Sequence, residues 1–237
     1  MALESAVEIA PPKGKLGILL PGMGAVGTTF IAGVLAIRRG LASPIGSLTQ
    51  MGTIRIGKRT DDNVQPIKDY VPLADLNDLV FGGWDVFSDD AYVAAKRAGV
   101  LEAPMLEELG DELRAIKPMP AVFEQEYVRN LHGDNIKPAA SKWDWAQALI
   151  ADIEAFKSTN GCDRLVGVWC GSTEVYRQPT EVHSTLAKFE KGLHDSDENI
   201  APSAIYAYAA ATMGLPFVHF TPSNSALLPA ISWASAS

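Results

Sequence analysis

The segment Gly22-Met23-Gly24-Ala25-Val26-Gly27 constrains this chain more than any other stretch of it. It fits G-x-G-x-x-G, and it lies between a short apolar run, residues 16–20, and a stretch of helical spacing, residues 28–39, with Gly40 as its stop. A strand, a tight turn and a helix in that order form the context in which this pattern holds a dinucleotide. Gly22 permits the sharp turn, Gly24 lets backbone approach a pyrophosphate, and Gly27 lets helix and strand pack closely. The helix N-terminus then faces the anion. A tight turn that binds nothing is the plainer alternative, and the correct flanks favour the dinucleotide.

The same region imitates a membrane span. Residues 18–37 carry no charge and are followed by Arg38 and Arg39, which resembles an apolar segment with a positive flank. Pro21 and the glycines at 22, 24, 27 and 33 break it into strand, turn and helix, and a continuous span is rejected on that ground.

Beyond the turn, residues 45–57 are rich in β-formers and small residues and predict extended structure with a loop, and 61–70 is charged and irregular. A second strand is expected over 79–87, with Asp89 and Asp90 placed where a helix N-terminus favours acids. Helices are expected over 91–98, 105–116, 143–156 and 202–213, and strands over 164–170 and 217–220, with a short one near 117–123. Alternating strands and helices predict an α/β, Rossmann-like parallel sheet with helices on both faces. Residues 1–14 read as a mobile tail, 15–231 as the domain, and 232–237 as an unpatterned tail.

A formal charge of −8 argues against a nucleic-acid surface. Two cysteines, Cys162 and Cys170, make no disulfide framework, and the N-terminus has no secretion signal, so a cytoplasmic setting is expected. His132, His183, His194 and His219 lack metal-ligand spacing, and no metal is expected. The acid pairs 61–62, 89–90 and 107–108 read as solvated charge, and Ser172 lacks the surroundings of a nucleophile elbow.

One part of the dinucleotide fingerprint fails. An acid for the ribose hydroxyls is expected about twenty residues past the glycines, yet residues 40–60 contain no Asp or Glu. Asp61, Asp62 and Asp85 are the later candidates.

Four further segments are more specific. GSLTQMGTIRIG (46–57), FGGWDV (81–86), GSTEVY (171–176) and the run 198–229, with NIAPSAIYAYAAATMGLPFVHFTPSN inside it, resemble the myo-inositol-1-phosphate synthases, also called inositol-3-phosphate synthases. The resemblance covers residues 15 to about 231 in the family order. It implies a Rossmann-like domain that binds NAD, and an enzyme that isomerises glucose 6-phosphate to 1D-myo-inositol 3-phosphate. C5 is oxidised transiently, an intramolecular aldol step closes the ring, and C5 is reduced again. Carried over by position, Gly22, Met23, Gly24, Ala25, Val26, Gly27, Thr28 and Thr29 would cradle the pyrophosphate, and Asp85 would take the ribose. Thr49, Gln50, Ser172 and Thr173 would line the cofactor cleft. Asn224 and Ser225 match the polar end of the family's S-P-Q-N-T turn, which reads Thr221-Pro222-Ser223-Asn224-Ser225 here.

The family continues past this point to a G-x-D-x-K-[ST]-G motif and to a catalytic domain that forms a homotetramer. No lysine follows Ile231 here, so the resemblance assigns no catalytic residue to this chain, and Lys137, Lys142 and Lys188 are not substitutes. The expected fold is accordingly incomplete at its C-terminal end. The expected product is a cofactor-binding part, inactive alone and with exposed apolar surface. The alternatives are a non-catalytic NAD-binding protein and a different NAD(P)-dependent oxidoreductase, which would reduce its cofactor in net terms.

Overall fold

In the computed structural model, residues 11–223 and 225–234 are described. Residues 11–14 precede the first strand without regular structure. The rest of the expected N-terminal tail, and 235–237 of the expected C-terminal one, lie outside the described residues.

Strand β1 (Lys15–Pro21) lies at the centre of a five-stranded sheet. Its partners are β4 (Leu79–Asp85) on one side and β6 (Cys162–Trp169) on the other, with β5 (Met119–Pro120) and β7 (Phe217–His219) at the edges. Each pairing is parallel. The chain first winds outward from β1 through β4 to β5, then returns to the other side of β1 for β6 and β7. The direction of winding thus reverses between β1 and β6, and their carboxyl ends open a crevice there.

Period-two alternation sorts the sheet's side chains into two cores. Ile18, Leu20 and Phe81 face α1 (Ala25–Arg38), α4 (Ala91–Ala98), α5 (Ala103–Glu108) and α6 (Gly110–Ala115). Leu19, Trp84, Leu165 and Trp169 face α7 (Lys142–Asn160), α8 (Leu186–Asp195), α9 (Pro202–Thr212) and α10 (Pro229–Ala234). The helices form for legible reasons. Asp90 caps α4 by accepting the Val93 N–H at 2.9 Å, and Ser141 caps α7. Gly161 and Gly214 end α7 and α9 in the left-handed conformation.

Four expectations are corrected. Residues 48–51 are not extended but form a helical turn, α2 (Leu48–Met51). The irregular stretch 61–70 contains β3 (Val64–Pro66), paired antiparallel with β2 (Thr53–Arg55), and then α3 (Ile67–Tyr70). The helix expected over 105–116 divides at Leu109 into α5 and α6. Residues 232–234, read as pattern-free, continue α10.

Helix α8 escaped the sequence reading. Thr185 caps it by accepting from Lys188 N–H at 3.3 Å, and Phe189 and Leu193 are fully buried. Their four-residue spacing is the signal that could have found it. Burying each such side chain contributes roughly 1.5–3 kcal/mol.

Candidate functional site: the cleft at the carboxyl ends of β1, β4 and β6

The turn after β1 is held by close backbone approaches. Gly22 has φ 91, where a side chain is strained, and a Cβ there would stand 2.5 Å from the Gly171 Cα. Its N–H donates to the Trp84 carbonyl at 2.8 Å, and Cys170 N–H donates to the Pro21 carbonyl at 2.9 Å. The ends of β1, β4 and β6 are thereby clasped together. A Cβ on Gly27 would lie 2.8 Å from the Gly22 carbonyl oxygen, so that glycine sets how closely α1 approaches the turn. At Gly24, by contrast, a Cβ would meet nothing within 4 Å. Gly24 is exposed and caps α1 with no side-chain hydrogen bond. The N–H groups of Ala25, Val26 and Gly27 have no intrahelical acceptor, and no acid occupies the first turn.

Asp85 closes the loop from the adjoining strand. Its Oδ2 accepts the Met23 N–H at 2.6 Å, and its Oδ1 accepts the Phe87 N–H at 3.0 Å. Burial raises its pKa, against the lowering effect of those two backbone donors. The strand it ends, β4, is reached by the first crossover, and the end of that strand is where the ribose acid of a dinucleotide fold belongs. The expected spacing fails because the β2–β3 hairpin and its short helices, within residues 41–78, intervene between α1 and β4.

A cavity of about 460 Å³ opens over this turn. Gly22, Gly24, Ala25, Val26 and Asp85 form one wall, and Ser172, Thr173 and Glu174, on the loop after β6, form another. Two buried polar atoms of its lining residues, Trp169 Nε1 and Thr221 Oγ1, have no hydrogen-bond partner among the described residues. Such groups are costly unless a ligand or water satisfies them. With the open face at Gly24 and the bare helix N-terminus, they fit an anionic, hydrogen-bonding cofactor.

The other expected site residues are placed differently. Met23 contributes its backbone while its side chain is buried. Thr28 is buried, and its hydroxyl and N–H both donate to the Gly24 carbonyl at 2.9 Å. Thr29 is half-buried on α1 and is not among the lining residues. Thr49 and Gln50 are on α2, which packs on α3 and β3 and contributes nothing to the cavity wall. Ser225 is buried with its hydroxyl 2.6 Å from His219 Nε2, beside a smaller adjoining cavity. Asn224 lies outside the described residues.

Sequence reasoning passed over Arg97, Trp169, Glu174 and Thr221, all of which line the cleft. Glu174 stood inside a quoted motif, GSTEVY, but nothing local marks it. Only folding brings α9 to it, so that Ser203 N–H donates to Glu174 Oε1 at 2.9 Å. Arg97 supplies the one cationic side chain among the described lining residues, and it pairs with Asp89 and lies over the Phe87 ring at 4.2 Å. Lys142 is buried and bound to Glu124 Oε2 and the Ile200 carbonyl, each at 2.7 Å. Lys137 pairs with Asp152 at 2.6 Å, and Lys188 pairs with Glu181. Burial pushes the Cys170 thiol up to about 11, so it is no thiolate at neutral pH. Among the described residues, no His, Cys, Asp or Glu cluster could hold a metal, and no helix is long and apolar enough to cross a membrane.

Comparison with known proteins bears directly on this cleft. A family model for NAD binding, described as myo-inositol-1-phosphate synthase, matches residues 16–236. Inositol-3-phosphate synthase 1 of Bacteroides thetaiotaomicron is 48% identical over 226 residues, which are 94% of this chain and 52% of that protein. Inositol-3-phosphate synthase of Saccharomyces cerevisiae is 30% identical, covering 89% of this chain and 44% of that one. A crystal structure of inositol-3-phosphate synthase from Caenorhabditis elegans superposes with a TM-score of 0.86 at 25% identity, over 94% of this chain and 47% of that one. The chain therefore spans about half the length of these relatives. NAD is the cofactor of the matched domain. The chain belongs to the myo-inositol-1-phosphate synthase family, of which it carries the Rossmann-like, NAD-binding region.

Proposed function

We propose that this chain supplies the cofactor half of an inositol-3-phosphate synthase, an isomerase acting on glucose 6-phosphate. The supporting observation is the pairing of the open Gly24 face with Asp85 at the end of the next strand. The N–H groups of Ala25, Val26 and Gly27 bind the pyrophosphate, aided by the α1 dipole. Asp85 accepts from the adenosine ribose hydroxyls. An ionised carboxylate there repels a 2′-phosphate, so NAD is preferred over NADP. Ser172 and Thr173 orient the far part of the cofactor, and the apolar wall around Trp84 and Val122 excludes water. When bound, NAD supplies a reversible hydride acceptor, which a transient oxidation at C5 requires.

Ring closure needs fixed positive charge where the enolate develops. No lysine lines the cleft among the described residues, so that charge is assigned to groups outside it, and this chain contributes binding and orientation. A cofactor role for Thr49, Gln50, Asn224 and Ser225 rests on the family resemblance alone.

Calorimetric titration of NAD and NADP into the protein tests the binding role. Saturable NAD binding that is at least about tenfold tighter than NADP, a difference of about 1.4 kcal/mol, is expected. No heat at millimolar NAD would overturn the reading. The activity is tested by incubating this chain with NAD and glucose 6-phosphate. Neither inositol phosphate nor NADH is expected from it alone, whereas net NADH would identify a different oxidoreductase.

A further inference from the structure

Glu174 lines the cofactor cleft and also the adjoining cavity of about 60 Å³. From it a file of three serine hydroxyls leads to His219 at the end of β7. Ser203 Oγ donates to Glu174 Oε2 and lies 3.2 Å from Ser223 Oγ. Ser223 Oγ is 3.1 Å from Ser225 Oγ, which is 2.6 Å from His219 Nε2. The far ring nitrogen, Nδ1, is 3.0 Å from the Thr221 carbonyl, which can only accept. Nδ1 therefore carries a proton, and Nε2 of the neutral ring is an acceptor.

Proton counting makes this arrangement informative. Four links run along the file, and Ser223 Oγ also lies 3.3 Å from His219 Nε2, a contact that bypasses Ser225. Each hydroxyl has one proton to donate. With Glu174 ionised and His219 neutral, both ends accept, so the three hydroxyl protons leave one link of the file unmade. One added proton at either end fills every link along it. On Glu174, all donors then point toward His219, and on His219 Nε2 all point toward Glu174. We propose that Glu174 and His219 share one proton through Ser203, Ser223 and Ser225, so that the charge on the cleft wall is set jointly by both ends of the file.

The surroundings agree with a shared proton. Around Glu174 the charged neighbours are Glu124 and Lys142, and burial raises its pKa. Tyr127, Arg177 and His183 line the small cavity beside it, and the His183 Nδ1 is taken by the Thr180 N–H at 2.9 Å. His219 faces the Trp169 and Phe217 rings, and burial lowers its pKa. Both tendencies favour the shared proton on Glu174 over His219, and with the proton there Glu174 adds no negative charge to the wall facing an anionic ligand. Only this consequence rests on the cofactor reading; the sharing itself does not.

The test is a pH titration by NMR on the whole chain, with 13C-labelled glutamate and 15N-labelled histidine. Coupled sites titrate with midpoints that belong to the pair. The Glu174 carboxyl and His219 ring signals are expected to move with a common midpoint. Ser223→Ala, at a half-buried position, should split it into two midpoints separated by about one pH unit or more. Glu174→Gln should lower the His219 midpoint by a similar amount. Independent titrations in the unsubstituted protein, indifferent to either substitution, would overturn the proposal. Adding NAD to the same samples separates the two readings. Coupling without any response to NAD would retain the proton file and remove the cofactor role, and the converse would do the opposite.

Discussion

The glycine turn and the β2–β3 hairpin are both segments from which the family resemblance draws cofactor contacts, yet their surroundings differ sharply. In the turn, Met23, Gly27 and Thr28 are buried, and at Gly22 and Gly27 neighbouring backbone stands 2.5–2.8 Å from where a Cβ would be. In the hairpin unit, α2, β2, β3 and α3 contain no buried residue, and Ile45, Leu48, Met51, Val64 and Tyr70 are exposed. The turn is pre-organised by the sheet that carries it. The hairpin has no such frame, and nothing in its own packing holds Thr49 or Gln50 toward the cleft. A binding residue is as well defined as the packing behind it.

The most drastic way to probe this contrast is Gly22→Val. It combines left-handed strain with a backbone clash and should destabilise by more than about 4 kcal/mol, read as loss of the cooperative thermal transition. A stable variant would show that the clasp between β1 and β6 is dispensable. Gly24→Val should act the other way round. Its Cβ meets no protein atom, so stability should fall by only about 1 kcal/mol, while NAD affinity falls about a hundredfold or more because the approach face is filled. Equal losses of stability and affinity would refute the distinction between the packing glycine and the binding one.

Asp85→Asn should weaken NAD about tenfold, equivalent to about 1.4 kcal/mol. Its folded pKa is raised, so the protonated form is favoured by folding. The stability this contributes is complete below the unfolded value and is lost as pH rises through the folded one. The Asn variant should therefore compare more favourably with the parent at pH 8 than at pH 4, and urea denaturation at both would check it. The smallest effects are expected in the hairpin unit. Thr49→Ala and Gln50→Ala should each change stability by less than about 0.5 kcal/mol. If either changes NAD affinity of this chain more than about threefold, α2 reaches the cleft after all.

Much of the fold could be read in advance, for reasons that differ by element. Strand β1, the turn and α1 were legible because apolar run, glycines and helical spacing occur in sequence within one βαβ beginning. The stops at Gly40, Gly161 and Gly214 were legible because each takes a positive φ. The short elements were not. Four-residue helices and three-residue strands such as α2, α3, β2 and β3 present too few turns or alternations for a period to emerge. The division at Leu109 sits inside an uninterrupted apolar spacing, so only packing reveals it.

For the site, the glycines announced themselves, whereas spacing alone left Asp85 as one later acid beside Asp61 and Asp62, and only the resemblance singled it out. Sheet order puts it at the end of the strand next to β1, against the turn. Sequence by itself determined the glycine turn, the α/β class and, through the quoted motifs, the family. These depend on contiguous residues and on local conformational preference. The tertiary structure decided which acid faces the turn, that Lys142 and Lys137 are held in ion pairs outside the cleft wall, and that Glu174 meets Ser203 and, through it, His219. Such relations join residues distant along the chain, and they exist only after sheet winding and core burial have brought their elements together.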